Sequence, residues 1–289
     1  MDFAEALEIA QASWELLGYS PRTRARYSVQ ISAMSRFLQI PPAKITTSDL
    51  KRYLVSIKRQ KSLSNATIYS QVNAIRAFFR ALVDNGALST NPADQLPLPR
   101  RSRKLPTYLT PDELVALLRA SESNPRDHCL LEFLYATGVR VSEAVAMKVE
   151  SVNLKEKTAM VKSGKGDKDR LVIMSEHACQ ELDHYLKKRR VRSEYLFPNR
   201  SGGRLSPRYI EKMIRAYAKR ARITKPVTPH VLRHTFATHM LDRNVDIRAI
   251  QELLGHSSLA TTQIYTHVTT ERLRRIITAH PREALPDKA

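Results

Sequence analysis

The sequence predicts a mainly α-helical protein with one small antiparallel sheet: an N-terminal helical bundle followed by a C-terminal α+β domain. Three observations carry this. Apolar residues recur at helical spacing through most of the 289 residues, and the pattern changes to short β-prone runs only between residues 152 and 174. A single proline- and arginine-rich stretch, QLPLPRRSRKLPTY at residues 95–108, interrupts it. With 42% hydrophobic residues the chain has enough apolar material for real cores, which excludes a disordered basic tail.

The first lobe, residues 1–95, shows helical periodicity over 3–17, 20–38, 49–57 and 65–82, with Ser48 as the N-cap of the third helix and Gly86 as the stop after the fourth. Four helices with short connections make a compact bundle. Residues 96–108 read as a basic linker with almost nothing that could pack. The second lobe, residues 109–289, opens on Thr110-Pro111, a cap followed by proline at the first helical position. A helix through Cys129, Leu130, Phe133 and Leu134 stops near Gly138, and another begins around Ser142. The runs 152–154, 158–162 and 171–174, separated by turn residues, are three strands. Helices return over 207–222, 229–241, 247–254 and 259–265, and a last amphipathic stretch carries Leu273, Ile276 and Ile277.

Charge narrows the class of partner. The 48 Lys+Arg against 28 Asp+Glu give a net +20, distributed as +5, +4 and +11 over lobe, linker and lobe. Such a field attracts polyanions, of which nucleic acid is the commonest, although charge alone does not separate a DNA-binding protein from a merely soluble basic one. Both lobes and their connector are positive, so double-stranded DNA could be held between them. Arg208, Lys212, Arg215, Lys219 and Arg222 recur three or four apart, opposed only by Glu211, and read as a helix face lying on DNA. Cys129 and Cys179 cannot make a disulfide framework; each lies in a helical stretch and reads as a buried thiol in a reducing compartment. The acidic N-terminus and the lack of a long apolar run predict no export signal and no membrane span, hence a cytoplasmic, nucleoid-associated protein.

Candidate chemistry is sparse and localised. Four of the eight glycines, Gly138, Gly164, Gly166 and Gly255, sit within two residues of Arg140, Lys165 or His256, where a turn presents a polar side chain; for any one of them taken alone, helix capping is the better explanation. The segment PHVLRH places His230 and Arg233 together on the first turn of a helix capped by Thr228, a corner suited to phosphate. A zinc reading of His230, His234 and His239 fails, because the helix lacks the intervening glutamate of a metalloprotease and Arg233 repels a dication. The loop SGKGDKDR lacks the glycine spacing of a nucleotide-binding loop. No metal and no cofactor are expected. What remains of that loop is a hairpin tip holding the Lys165 ammonium, or an ordinary solvated lysine. Tyr265, read alone near a helix end, is ordinarily packing.

Taken in order, ATGVRVSE (136–143), GKG (164–166), HVLRH (230–234), LLGH (253–256) and IY (264–265) resemble the signatures of the tyrosine recombinases, and of the Xer type in particular. The resemblance spans the whole chain. It fills all six positions of the family pattern, namely Arg140, Lys165, His230, Arg233, His256 and, nine residues later, Tyr265. The first lobe matches the family's core-binding domain more weakly, through Ser20, Thr23, Tyr27, residues 67–79 and Asn91-Pro92.

The resemblance implies a phosphoryl-transfer site, and the chemistry explains the residue types. A phosphodiester is anionic, so attack on it needs charge neutralisation, for which Arg140 and Arg233 offer bidentate forks that keep their protons. Tyr265 is then the nucleophile, leaving a 3′-phosphotyrosyl link and a free 5′-hydroxyl. Its phenol, ordinarily of pKa ~10, needs a base, the role implied for His230. Lys165 protonates the leaving 5′-oxygen, and His256 bonds a phosphate oxygen. Glu143 either orients this site from behind or is a surface helix residue.

Because a phosphotyrosine conserves the bond energy, strands can be exchanged through a Holliday junction without ATP or metal. The family works as four protomers on two DNA sites. The stretch 270–279 is suited to packing on a neighbour, or to folding back on its own domain. A second recombinase or a DNA-translocating ATPase are the further partners implied. The function expected is site-specific recombination in chromosome dimer resolution. The alternatives are a minimal integrase of a mobile element and a non-catalytic DNA-binding accessory protein, the last of which predicts loss of a catalytic residue.

Overall fold

The computed structural model describes residues 1–60, 62–100, 107–162 and 169–255. The chain divides into two compact units, Met1–Lys104 and Leu105–Ala289.

The first unit is a bundle of α1 (Phe3–Leu16), α2 (Pro21–Leu38), α3 (Thr47–Gln60) and α4 (Asn65–Asp84). Each helix starts where a side chain satisfies its orphan amides. Asp2 accepts from Ala4 and Glu5 while Glu5 reaches back, and Ser20 and Ser64 cap α2 and α4. The third helix corrects the expectation for Ser48. The residue that bonds the first turn is Thr46, whose Oγ1 donates to Asp49 at 2.7 Å and accepts from the Asp49 amide, so the helix begins one residue before Ser48. Trp14, Ile31, Met34, Leu50, Ile75, Phe78, Phe79 and Leu82 form the core. Leu96, read from sequence as the head of the linker, belongs to it as well. It is buried, and the Arg76 guanidinium donates to its carbonyl at 2.6 Å.

The second unit is organised around α6 (Pro125–Thr137), which is buried on nearly every side and packs on α5 (Pro111–Ser121), α8 (Glu176–Lys188) and α10 (Pro229–Asp242). It ends on Gly138 in the left-handed region, φ +60°. The short α7 (Val141–Ala144) follows, and then β1 (Val152–Asn153), β2 (Thr158–Val161) and β3 (Arg170–Ile173) pair in that order, antiparallel throughout. α9 (Pro207–Arg220) precedes α10, and α11 (Ile247–Leu254) ends on Gly255, φ +65°.

These elements follow the sequence expectation, with differences at their ends. β3 begins at Arg170 rather than Leu171. α9 stops at Arg220, so Arg222 lies past its end in a left-handed turn, φ +56°, rather than on the helix. α8 holds Cys179 buried in a helix, as its helical surroundings predicted. Leu109 ties the start of this unit down. Its amide donates to Thr235 Oγ1 at 3.0 Å, and its carbonyl accepts from Nε2 of the buried His239, whose Nδ1 then accepts from the Tyr135 hydroxyl. That leaves His239 a core histidine, apart from His230.

Candidate catalytic and DNA-binding site

Four local decisions of the chain build one polar corner in the second unit. Gly138 takes the left-handed conformation that stops α6 and turns the chain toward Arg140. A Cβ at this position would lie 2.6 Å from Leu254 Cδ2 and 2.9 Å from Phe236 Cδ1, so only glycine lets α6, α10 and α11 approach this closely. Arg140 is the N-cap of α7, and its own amide donates to Glu143 Oε2 at 2.7 Å. Thr228 and Pro229 start α10 and set Arg233 one turn in. Gly255 ends α11 and exposes the last carbonyls of that helix.

Those carbonyls join the two arginines. Arg233 donates to Gly138 O and Leu254 O, at 2.5 and 2.7 Å, and Arg140 donates to Gly255 O at 3.2 Å. Neighbouring C-terminal carbonyls of α11, where the helix dipole is negative, thus each take one guanidinium. Arg140 also donates to Glu143 Oε1 at 2.9 Å, and Arg170 grips the same carboxylate with both arms of its fork, at 2.8 and 2.8 Å. Glu143 is therefore no surface residue: its side chain is 8% exposed. Burial pushes its carboxyl up, but the hydrogen bonds and charge of Arg170 and Arg140 outweigh that and hold it at about 2.

The opposite pressure acts on Arg233. Burial, and then the charge of Arg140, bring its guanidinium down to about 10. Among the described residues, the corner thus brings three arginines near one carboxylate. His230 stands exposed on the first turn of α10, one turn before Arg233. Lys165, His256 and Tyr265 lie outside the described residues, as do Gly164, Gly166 and residues 259–265 and 270–279. The chain that bears Lys165 joins β2 to β3, and His256 directly follows Gly255.

On α9, Arg208, Lys212, Arg215 and Lys219 are exposed, opposite the buried Ile210, Met213, Ile214, Tyr217 and Ala218, and the exposed Arg222 follows in the next turn. Glu211 is only partly exposed on the flank of this face. Arg170 escaped the sequence reading. Its signal was its position two residues before Val172, which places a charge on the inward side of a strand.

Residues 107–272 match the phage integrase family, and residues 7–87 match the N-terminal SAM-like domain of phage integrases. The chain belongs to this family: it is a tyrosine site-specific recombinase acting on DNA. Within the family it is similar to the Xer recombinases. It is 34% identical to tyrosine recombinase XerC of Anoxybacillus flavithermus, over 97% of this chain and 96% of that one. It is 35% identical to XerD of Listeria monocytogenes serotype 4b, over 89% and 90%. The crystal structure of XerA recombinase shares 37% identity over 99% of each chain, with a TM-score of 0.52. A lambda integrase tetramer bound to a Holliday junction shares the fold, at a TM-score of 0.76 and 20% identity over 92% of this chain and 80% of that one.

Proposed function

We propose that this recombinase cuts and rejoins DNA at Tyr265 and serves the resolution of chromosome dimers. The observation that carries the reading is the corner made by Arg140, Glu143 and Arg233. It holds two guanidinium groups at one helix C-terminus and orients one of them with a carboxylate, a pair of forks suited to the two nonbridging oxygens of a phosphate.

In this mechanism the scissile phosphodiester enters the corner with its nonbridging oxygens on Arg140 and Arg233. Negative charge that builds on those oxygens in the transition state meets cations already in place. The Tyr265 phenol attacks phosphorus as its proton passes to His230. A phosphotyrosyl bond forms to the 3′ side, the P–O5′ bond breaks, and the leaving 5′-oxygen takes a proton from Lys165. His256 donates to a phosphate oxygen. Attack by a 5′-hydroxyl of a partner duplex reverses each of these steps and regenerates the phenol, so neither ATP nor a metal enters the balance. Four protomers on two sites carry out the exchange, with residues 270–279 of one packing on the next. The basic face of α9, from Arg208 to Lys219, together with Arg222, lies along the DNA backbone. The likeness to XerC and XerD over nearly the whole chain supports the chromosomal role.

Selecting the DNA site bound by the purified protein from a genomic library tests that role. The expected result is one chromosomal locus, and two copies of it on a supercoiled plasmid should be resolved in the presence of EDTA. Sites found at the boundaries of a mobile element would instead make the chain a minimal integrase.

A further inference from the structure

We propose that Arg170 is a positioning residue for strand cleavage: it holds Glu143 with its fork and the Gly255 turn with its stem, so that β3 sets the place of Arg140. The inference rests on the function proposed above. Its first support is where the sheet puts this side chain. In the β2–β3 register Val161 faces Arg170 and Ala159 faces Val172, and these four residues share the buried face, whereas Met160 and Leu171 point outward and are exposed. The arginine thus stands on a buried face beside the apolar Ala159, Val161 and Val172, where a charge is costly.

The ion pair that accepts Arg170 does not explain its presence by stability. Both side chains are nearly buried, 9% and 8% exposed, and the cost of drying two charges offsets most of their attraction. An apolar residue of similar volume would serve the core as well. Its Nε atom is buried and finds no acceptor among the described residues, a further cost. What the guanidinium does accomplish is local. Each Glu143 oxygen receives one bond from Arg170 and one from Arg140, so the carboxylate is fixed in rotation and in place, and with it the Arg140 amide and Nη1.

The stem of the same side chain forms the support of the Gly255 turn. A Cβ on Gly255 would lie 2.5 Å from Arg170 Cδ, 2.6 Å from Nε and 2.9 Å from Cζ. The Gly255 carbonyl, meanwhile, accepts from Arg140, so the turn is held between two arginines. In the chain, Arg170 follows Lys165 by five residues and Gly255 precedes His256. One buried side chain therefore links the strand that continues from Lys165, the Arg140–Glu143 pair and the turn leading to His256.

The test is single-turnover formation of the covalent adduct on a nicked duplex carrying the selected site. Wild type, Arg170→Gln and Arg170→Lys are compared at saturating DNA, below their melting transitions, with DNA affinity measured in parallel. Arg170→Gln should form adduct about ten- to a hundredfold more slowly, the scale expected of a misplaced reacting group, with affinity within about threefold of wild type. Arg170→Lys, which returns the cation but only part of the fork, should recover some of that rate and stay below wild type. A wild-type rate in either folded variant, or a loss confined to affinity, overturns the positioning role while leaving the proposed function intact. No adduct with wild-type protein overturns both.

Discussion

Glu143 is the residue on which the corner turns, because its carboxylate is bonded by both Arg140 and Arg170 and its charge also reaches Arg233. It gains its stabilising bonds only when ionised, and its folded pKa of about 2 lies below the ordinary carboxylate value of 4.5. The folded state therefore binds fewer protons than the unfolded state between these values. The contribution is fully present above pH ~4.5 and is lost as pH falls toward 2. Glu143→Gln should lower stability at pH 7 by about 3 kcal/mol, the cost of removing one partner of a buried pair. Its deficit relative to wild type should shrink toward pH 2–3 in urea titrations. A deficit independent of pH would contradict the assignment.

His239 titrates with a related sign for a different reason. Burial lowers its pKa, so as pH falls below about 6.5 the unfolded chain takes up a proton that the folded one resists, and stability declines. In His239→Gln that part of the decline between pH 7 and pH 5 should disappear from the melting profile. Both residues mark the limit of reading at this scale. The sequence left Glu143 between a surface site and an orienting role, since i, i+3 spacing from Arg140 fits either; burial under Arg170, 27 residues away, decides it. A long-range partner leaves no local pattern, whereas the Thr228-Pro229 start that presents His230 and Arg233 is wholly local and was legible.

Among the elements, the turn at Gly255 and the face of α9 carry the most consequence. Gly138 and Gly255 were each ambiguous between a capping glycine and a glycine that presents a polar neighbour. Both cap: each ends a helix in the left-handed region, and the carbonyls beside the turn receive Arg233 and Arg140, while Gly138 also leads to Arg140 and His256 lies outside the described residues. Gly255→Ala should cost about 1–2 kcal/mol from the left-handed backbone alone, and more through the clash with Arg170, readable in chemical denaturation. On α9 the apolar residues buried opposite the cations confirm the helix phase that the 3.6-residue period predicts. The helix end was misplaced by two residues because Ala221 and Arg222 carry no stop signal of their own. If Arg215 and Lys219 contact phosphates, replacing either with glutamine should weaken binding and reduce the slope of log K against log salt by about 1. An unchanged slope would remove that residue from the interface.

At the scale of the whole molecule, two separately packed units share one sign of charge. The break between them was legible because proline and arginine cannot extend either core, but Leu96 was not, since a lone leucine among prolines gives no periodicity from which to infer its burial. The net +20 divides in turn. A few cations, Arg140, Arg170 and Arg233, are committed to one corner by named bonds, whereas those on the outer face of α9 are exposed.

The central claim is that this corner activates a DNA phosphate for attack by Tyr265. A nicked suicide duplex, from which the cleaved strand escapes by diffusion, measures it directly. Wild-type protein should accumulate a covalent 3′-phosphotyrosyl adduct whose DNA-bearing peptide contains Tyr265. Tyr265→Phe should form none while binding the same duplex with unchanged affinity. An adduct that survives Tyr265→Phe, or one mapped to another residue, would contradict the account.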